Sequence, residues 1–338
     1  SGIDVQAEIS SEQATELLKG VDLPRHYSLP QTVQLKGTVS GSMEQLAVSD
    51  LQLLVKDSGL DISLTGAMEN VLDYQGGSAD LNVNLESTSI IGAYIGQDIP
   101  SFGPVKGLAK LSSSGKALQL ESLQLDLQDP ALSARIAGSA EKIGRSNDEK
   151  FAVSGIDIKA EAATDQLAEI LTRAGVEVPV EVPSSVVVKV ASSGSLDQLE
   201  ITDLLATVKD SGVELKLTGT VANIVDRTGV AAQLSGRVDD TETLTRFAGV
   251  EVPALGSLNL KSNFSSAEDT YRLDDLELAL DGNLIQAKAT AAIADLMALT
   301  KEAEGAEAYA RAGIDVSVDM ETGALAEIGT LAGEAKIP

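Results

Sequence analysis

The chain has no cysteine, no tryptophan and one histidine, and only 3% of its residues are aromatic. Without cysteine there is no disulfide, no thiolate nucleophile and no Cys-based metal site. His26 stands between Arg25 and Tyr27 with no second imidazole to work with, so neither a His-based triad nor a His metal site is expected, and it reads as a solvated loop residue. Scarce aromatics weaken the case for a sugar-binding cleft, and neither glycine-rich phosphate-loop pattern occurs. The acidic pairs Asp239-Asp240 and Asp274-Asp275 lack the ligand loop that calcium needs. Cations are also short: 25 Lys and Arg face 51 Asp and Glu, a formal charge of −26. Such a surface repels nucleic acid and anionic headgroups within the screening length. No apolar run approaches a membrane span, and no signal-peptide pattern is present. The expectation is a non-enzyme with no metal, no cofactor and no nucleic-acid partner.

What the chain does have is a globular balance, 43% apolar and 22% charged over 338 residues, enough for one long or two ordinary cores. It also repeats. Val55-Lys-Asp-Ser-Gly-Leu-Asp-Ile-Ser-Leu-Thr-Gly66 returns as Val208-Lys-Asp-Ser-Gly-Val-Glu-Leu-Lys-Leu-Thr-Gly219, a spacing of 153 residues. The same offset carries Gly2-Ile-Asp4 to Gly155-Ile-Asp157, Asn70 to Asn223, and Pro100 with Gly103 to Pro253 with Gly256. Each long unit divides in two, marked by Gly20-Val-Asp-Leu-Pro24, Gly96-Gln-Asp-Ile-Pro100, Gly175-Val-Glu-Val-Pro179 and Gly249-Val-Glu-Val-Pro253. The expected units span 1–75, 76–153, 154–228 and 229–311, with 312–338 the start of a truncated fifth. Opening on Ser1-Gly2 and stopping inside a unit, the chain reads as cut from a longer protein.

Within a unit the pattern predicts a strand, a short helix, the Gly-to-Pro segment, a second strand, and then two strands joined by a tight turn. In the first unit Ile3, Val5 and Ala7 alternate with Asp4, Gln6 and Glu8, the period of a half-buried strand. Ser10 or Ser11 can cap a helix bearing Leu17 and Leu18, which Gly20 ends and Pro24 prevents from continuing. Asp57-Ser58-Gly59 is a hairpin turn, matched by Asp129-Pro130, Asp210-Ser211-Gly212 and Asp281-Gly282-Asn283. Leu54 is the one break in the alternation. The stretch from Asp295 through Lys301 to Ala312 is rich in helix formers and reads as a solvated helical connection, with a lid or partner-binding helix as the alternative.

The fold class expected is therefore mainly β, with repeated antiparallel strands and one short helix per repeat. One face of each strand is apolar and needs a cover, because a dozen wet aliphatic side chains at roughly 1.5 to 3 kcal/mol each would exceed a domain's stability. Another sheet wall, a partner chain or a bound apolar ligand could supply that cover.

Ser195-Leu-Asp-Gln-Leu-Glu-Ile-Thr-Asp-Leu204, followed by Val208-Lys-Asp-Ser-Gly212 and Leu215-Lys-Leu-Thr-Gly219, resembles the repeats of AsmA-like bacterial envelope proteins, TamB-like and YhdP-like members included. Ser42-Met-Glu-Gln-Leu-Ala-Val-Ser-Asp-Leu51 is the parallel version, and Leu120-Glu-Ser-Leu-Gln-Leu-Asp-Leu127 and Leu273-Asp-Asp-Leu-Glu-Leu-Ala-Leu280 are looser ones. The resemblance covers nearly the whole chain and lies in texture and spacing, with no invariant catalytic motif. It implies an elongated, twisted β-groove in the periplasm of a Gram-negative cell, anchored to the inner membrane in the full-length protein and carrying phospholipid toward the outer membrane. The partners implied are phospholipid or another acyl-chain lipid, and inner- and outer-membrane proteins met through parts of the parent chain not present here.

Carried onto this sequence, the groove lining would be Val33, Leu35, Leu51, Leu53, Val55, Leu60, Ile62, Leu64, Leu81, Val83 and Leu85, with Val208, Val213, Leu215 and Leu217 as second-half counterparts. The bland alternative is that these residues pack on one another in a closed core. Two further functional readings remain open: a structural or adhesive β-rich rod without lipid, whose units each seal their own core, and a periplasmic factor that assists outer-membrane protein assembly. Continuity favours a groove over a rod, because no polar, Pro-rich or Gly-rich linker separates the units.

Overall fold

Period-two alternation folds as strand along most of its length. A computed structural model describes residues 2–11, 30–42, 44–115, 117–145, 150–267, 270–296 and 312–323. The expected first helix with Leu17, Leu18 and Gly20, His26, most of the 295–312 connection and the last fifteen residues lie outside these. The chain divides into two compact units: Ser1–Ala162, Thr172–Gly175 and Ala191–Leu199 form one, and Ala163–Leu171, Val176–Val190 and Glu200–Pro338 form the other.

In the first unit β1 (Ile3–Ser11), β2 (Thr32–Gly41), β3 (Leu46–Asp57), β4 (Leu60–Asn70), β5 (Gln75–Leu85), β6 (Val105–Ser114), β7 (Ala117–Gln128) and β8 (Ser133–Arg145) each pair antiparallel with the next strand in the chain. Order in space is order in sequence. Register keeps like with like: Leu60 faces Leu85, Ile62 faces Val83 and Leu64 faces Leu81. A slip by one residue would turn every one of these side chains to the opposite face, so the alternation itself fixes the pairing. Strand β9 (Phe151–Thr164) lies in this unit through Ala162.

In the second unit β11 (Leu199–Asp210), β12 (Val213–Asn223), β13 (Thr228–Val238), β14 (Ser257–Ala267), β15 (Thr270–Asp281), β16 (Gln286–Ile293) and β17 (Ile314–Glu321) form the same kind of consecutive antiparallel run. Strand β10 (Ser185–Ser195) is divided between the units. Val213 faces Val238 and Leu217 faces Leu234, as Leu60 and Leu64 face their partners in the first unit.

Among the described residues helices are few and short: α1 (Ser89–Ile95), α2 (Leu167–Arg173) and α3 (Thr245–Ala248), the last entered through a 3-10 turn at Thr241–Leu244. Gly96 and Gly249 close α1 and α3 at φ of 68°, and Gly175 follows α2 at φ 71°, a region that costs glycine little. The segment after α1 is clasped by Thr88, whose hydroxyl donates to the Pro100 carbonyl at 2.5 Å and accepts the Phe102 N–H at 2.9 Å. Thr241 repeats the clasp in the second unit, donating to Pro253 at 2.6 Å and accepting from Leu255 at 2.8 Å. The 153-residue period thus reappears bond for bond. With the first expected helix outside the described residues, one helix per repeat is not established.

Strands β3, β7, β11 and β15 each carry a bulge, between Val48 and Leu51, Leu120 and Leu123, Ile201 and Leu204, and Leu273 and Leu276. A bulge bends its strand and raises the local twist. Asp50 and Asp275 adopt the left-handed region there, at φ of 53° and 50°, which a short polar side chain tolerates better than an aliphatic one. The acidic pair Asp274-Asp275 is therefore part of a bulge, and Asp240 accepts the Glu242 N–H as the cap of the 3-10 turn.

Candidate functional site

Cross-strand register assembles the expected lining residues into rows that run perpendicular to the strands. In the first unit one row is Leu35, Leu53, Leu64, Leu81, Ala109 and Leu123, and the next is Val33, Val55, Ile62, Val83, Gly107 and Leu125. Leu51 stands in a third row opposite Gly66, and Leu60 and Leu85 form the row nearest the Asp57–Gly59 turn. In the second unit Val208 and Leu215 share a row with Gly236, Leu260, Leu278 and Ala289, Leu217 lies in the row beside it, and Val213 pairs with Val238 nearest the Asp210–Gly212 turn. All fifteen residues expected to line a groove stand on the apolar face of their own unit. Leu54, the break in the alternation, lies on the other face between Gln34 and Ser63.

This face is not sealed. The buried apolar side chains among the described residues are Leu60, Leu85, Ile156, Val213, Val238, Ile285 and four alanines. Val33, Leu51, Leu53, Val55, Ile62, Leu64, Leu81, Val83, Val208, Leu215 and Leu217 are half-buried, and Leu35 is exposed. Among the larger aliphatic side chains of these rows, burial is deepest beside the helix-bearing turns: Leu60 and Leu85 in one unit, Val213 and Val238 in the other. In the first unit α1 lies against the turn before Leu60, with Cδ1 of Ile90 2.7 Å from where a Cβ on Gly59 would stand.

The aspartates of these turns hold the helices in place. Tyr94 on α1 donates its hydroxyl to Asp57 at 2.6 Å. Arg173 at the end of α2 donates to both carboxylate oxygens of Asp129, at 2.9 and 3.0 Å, with its guanidinium over the Phe102 ring. Arg246 on α3 donates to Asp210 at 3.4 Å and to the Ser211 carbonyl at 3.1 Å. Sequence alone gave these aspartates their role in the turns; their helix partners lie thirty-six or more residues away and no local pattern announces them.

The electrostatics follow from these contacts. Burial pushes the Asp129 carboxyl up, but the N–H groups of Ala131 and Gly103 and the Arg173 charge outweigh it and hold the carboxyl below the usual carboxylate range. Asp210 is lowered by the N–H groups of Ser184 and Ser211, against burial and with help from Arg246. The Tyr94 hydroxyl is pushed up to about 12, by burial first and then by the Asp57 charge it faces.

Toward the opposite strand ends the first unit's apolar face dips into a depression of about 300 Å³ lined by Val48, Leu51, Met68, Val71, Leu111 and Leu118. Of these only Leu51 was among the expected lining residues; the alternation followed along β4 and β6 marks Met68 and Leu111, whereas Val48 and Leu118 lie beyond register shifts and Val71 beyond the end of β4, where the period no longer points to them. The opposite face carries the polar partners, among them the Lys56–Asp61 and Lys209–Glu214 ion pairs at 3.3 and 2.9 Å. Among the described residues no group of His, Asp or Glu side chains is arranged to hold a metal ion. No protein-family model matches the chain, and no curated protein or solved structure matches it either.

Proposed function

We propose that the chain is a segment of a lipid-transfer protein of the AsmA-like kind, which shields phospholipid acyl chains on its apolar sheet face between the inner and outer membranes of a Gram-negative cell. The observation that carries this reading is the open face: rows of aliphatic side chains continue from strand to strand within each unit, yet most remain half-exposed. A rod whose repeats seal their own cores has no reason to leave Leu53, Leu64 and Leu81 in that state. An acyl chain laid along such rows loses contact with water at a gain of about 0.8 kcal/mol per shielded methylene. Glycerol and phosphate can stay wet outside the rows.

A photo-crosslinking amino acid placed at Ile62 or Leu64, and for comparison at Asp61 or Ser63 on the opposite face, tests the proposal in cells. Lipid adducts at the first pair alone are expected. Equal labelling of both faces, or no lipid at either, overturns the reading in favour of the rod, and polypeptide adducts without lipid point to an assembly factor.

A further inference from the structure

Two turns at the strand ends opposite the helices, β4 to β5 and β12 to β13, carry aliphatic residues where turns usually carry polar ones. Between β4 and β5, Asn70 donates its side-chain amide to Asp73 at 2.9 Å and accepts the Leu72 N–H at 3.1 Å, while the Val71 N–H donates to the Leu46 carbonyl at 2.8 Å. Tyr74 completes the turn at φ 57°. These bonds fix a tip on which Leu72 is 50% and Tyr74 57% exposed, with Val71 beside them. In the second unit Asn223 makes the same two bonds, to Asp226 at 2.8 Å and from Val225 at 2.9 Å, and presents Ile224 and a 56% exposed Val225. A turn rebuilt with the same bonds, and again with two aliphatic residues at its tip, points to a surface that something apolar meets.

Val71 also lines the depression described above, so in the first unit the exposed tip and the apolar face are continuous. Charge narrows the occupant. No lysine or arginine occurs anywhere from residue 57 to residue 105, and the tip's own charged neighbours are Glu69 and Asp73. The first unit's turn itself holds no cation to grip an anionic headgroup, unlike the second unit's, where Arg227 stands in the place of Tyr74, and a tyrosine beside two aliphatic side chains suits the boundary between headgroups and hydrocarbon.

We propose that the Val71-Leu72-Tyr74 tip seats in the surface of a zwitterionic phospholipid bilayer, so that the depression behind Val71 opens onto hydrocarbon and receives acyl chains at this strand end rather than at the helix-covered one. The inference rests on the lipid-transfer reading and adds the place and the kind of surface through which the face is loaded.

The test is flotation of the full chain with phosphatidylcholine vesicles, comparing it with the double variant Leu72→Ser, Tyr74→Ser, which leaves Val71 and the lining of the depression intact. These side chains are exposed, so circular dichroism and melting should be unchanged. The parent chain should float with the vesicles, keep doing so in high salt and float less well when phosphatidylglycerol is added; the variant's partitioning should fall about tenfold, the loss expected for two large apolar side chains returned to water. Binding of a soluble short-chain phosphatidylcholine below its micelle concentration, read at a crosslinker on Leu64, should be the same in both proteins. Equal flotation of parent and variant, no flotation of either, or flotation that salt abolishes and phosphatidylglycerol strengthens overturns the docking proposal. Self-association that the variant loses, without flotation of the parent, overturns it too and gives the tip to a second copy of the chain. Failure of short-chain lipid to bind either protein strikes instead at the lipid-transfer reading.

Discussion

Asp129 shows how one side chain joins three parts of the fold. Its carboxylate accepts N–H groups from Ala131 and Gly103 and pairs with Arg173, and only 7% of the side chain is exposed. Because its folded pKa is depressed, the stability it brings is complete above the ordinary carboxylate value of about 4 and is lost as pH falls through the lower folded value. Asp129→Asn should cost about 1 to 3 kcal/mol at neutral pH and flatten the acid limb of a melting-temperature profile. Tyr94 has the opposite sign: its raised value means that stability is whole below about pH 10 and declines as pH rises toward 12. Tyr94→Phe should remove that alkaline decline at a cost of about 1 kcal/mol, which denaturant titration across the range would detect. Half of this chemistry was legible beforehand. An aspartate before Ser-Gly or Pro is a turn residue by its side-chain geometry, but which helix residue reaches it depends on how the intervening chain packs, and no periodicity encodes that.

The strands were legible because a one-sided face writes its period into the sequence; the bulges were not read from it, although the segments that hold them had already stood out for their texture. Ser49-Asp50-Leu51, Thr202-Asp203-Leu204 and Asp274-Asp275-Leu276 sit in the segments that resemble the envelope repeats, and each coincides with a shift of register. One extra residue explains why a polar pair interrupts the alternation: without it the leucine that follows would face the wrong side. The hairpin turns allow a comparison between equivalents. Gly59 and Gly212 both take the left-handed region, at φ of 72° and 75°, but a Cβ on Gly59 would meet Ile90 at 2.7 Å whereas on Gly212 the nearest atom is Thr243 Oγ1 at 3.4 Å. Gly212→Ala should cost about 1 kcal/mol of backbone strain. Gly59→Ala should cost more and loosen α1, visible as faster amide exchange at Tyr94 and its neighbours.

For the molecule as a whole, the open face makes a prediction that a sealed core would reverse. Leu81→Lys places a charge in the middle of a row, where the half-exposed surroundings let the ammonium reach water along its own aliphatic stem. The expected loss of stability is about 1 kcal/mol, against the 4 or more that an unpaired charge in a closed core exacts, while recovery of bound lipid should drop sharply. Calorimetry and lipid extraction on the same preparation decide between them. Strand order has its own consequence. Since within each unit the paired strands bond to those directly before and after them in the chain, contacts close over local stretches of sequence, and folding can start at any tight hairpin and spread outward as in other linear arrays. During synthesis the N-terminal hairpins can then be complete before the last residues have left the ribosome, and lengthening such a protein by duplication asks nothing new of the strands already in place.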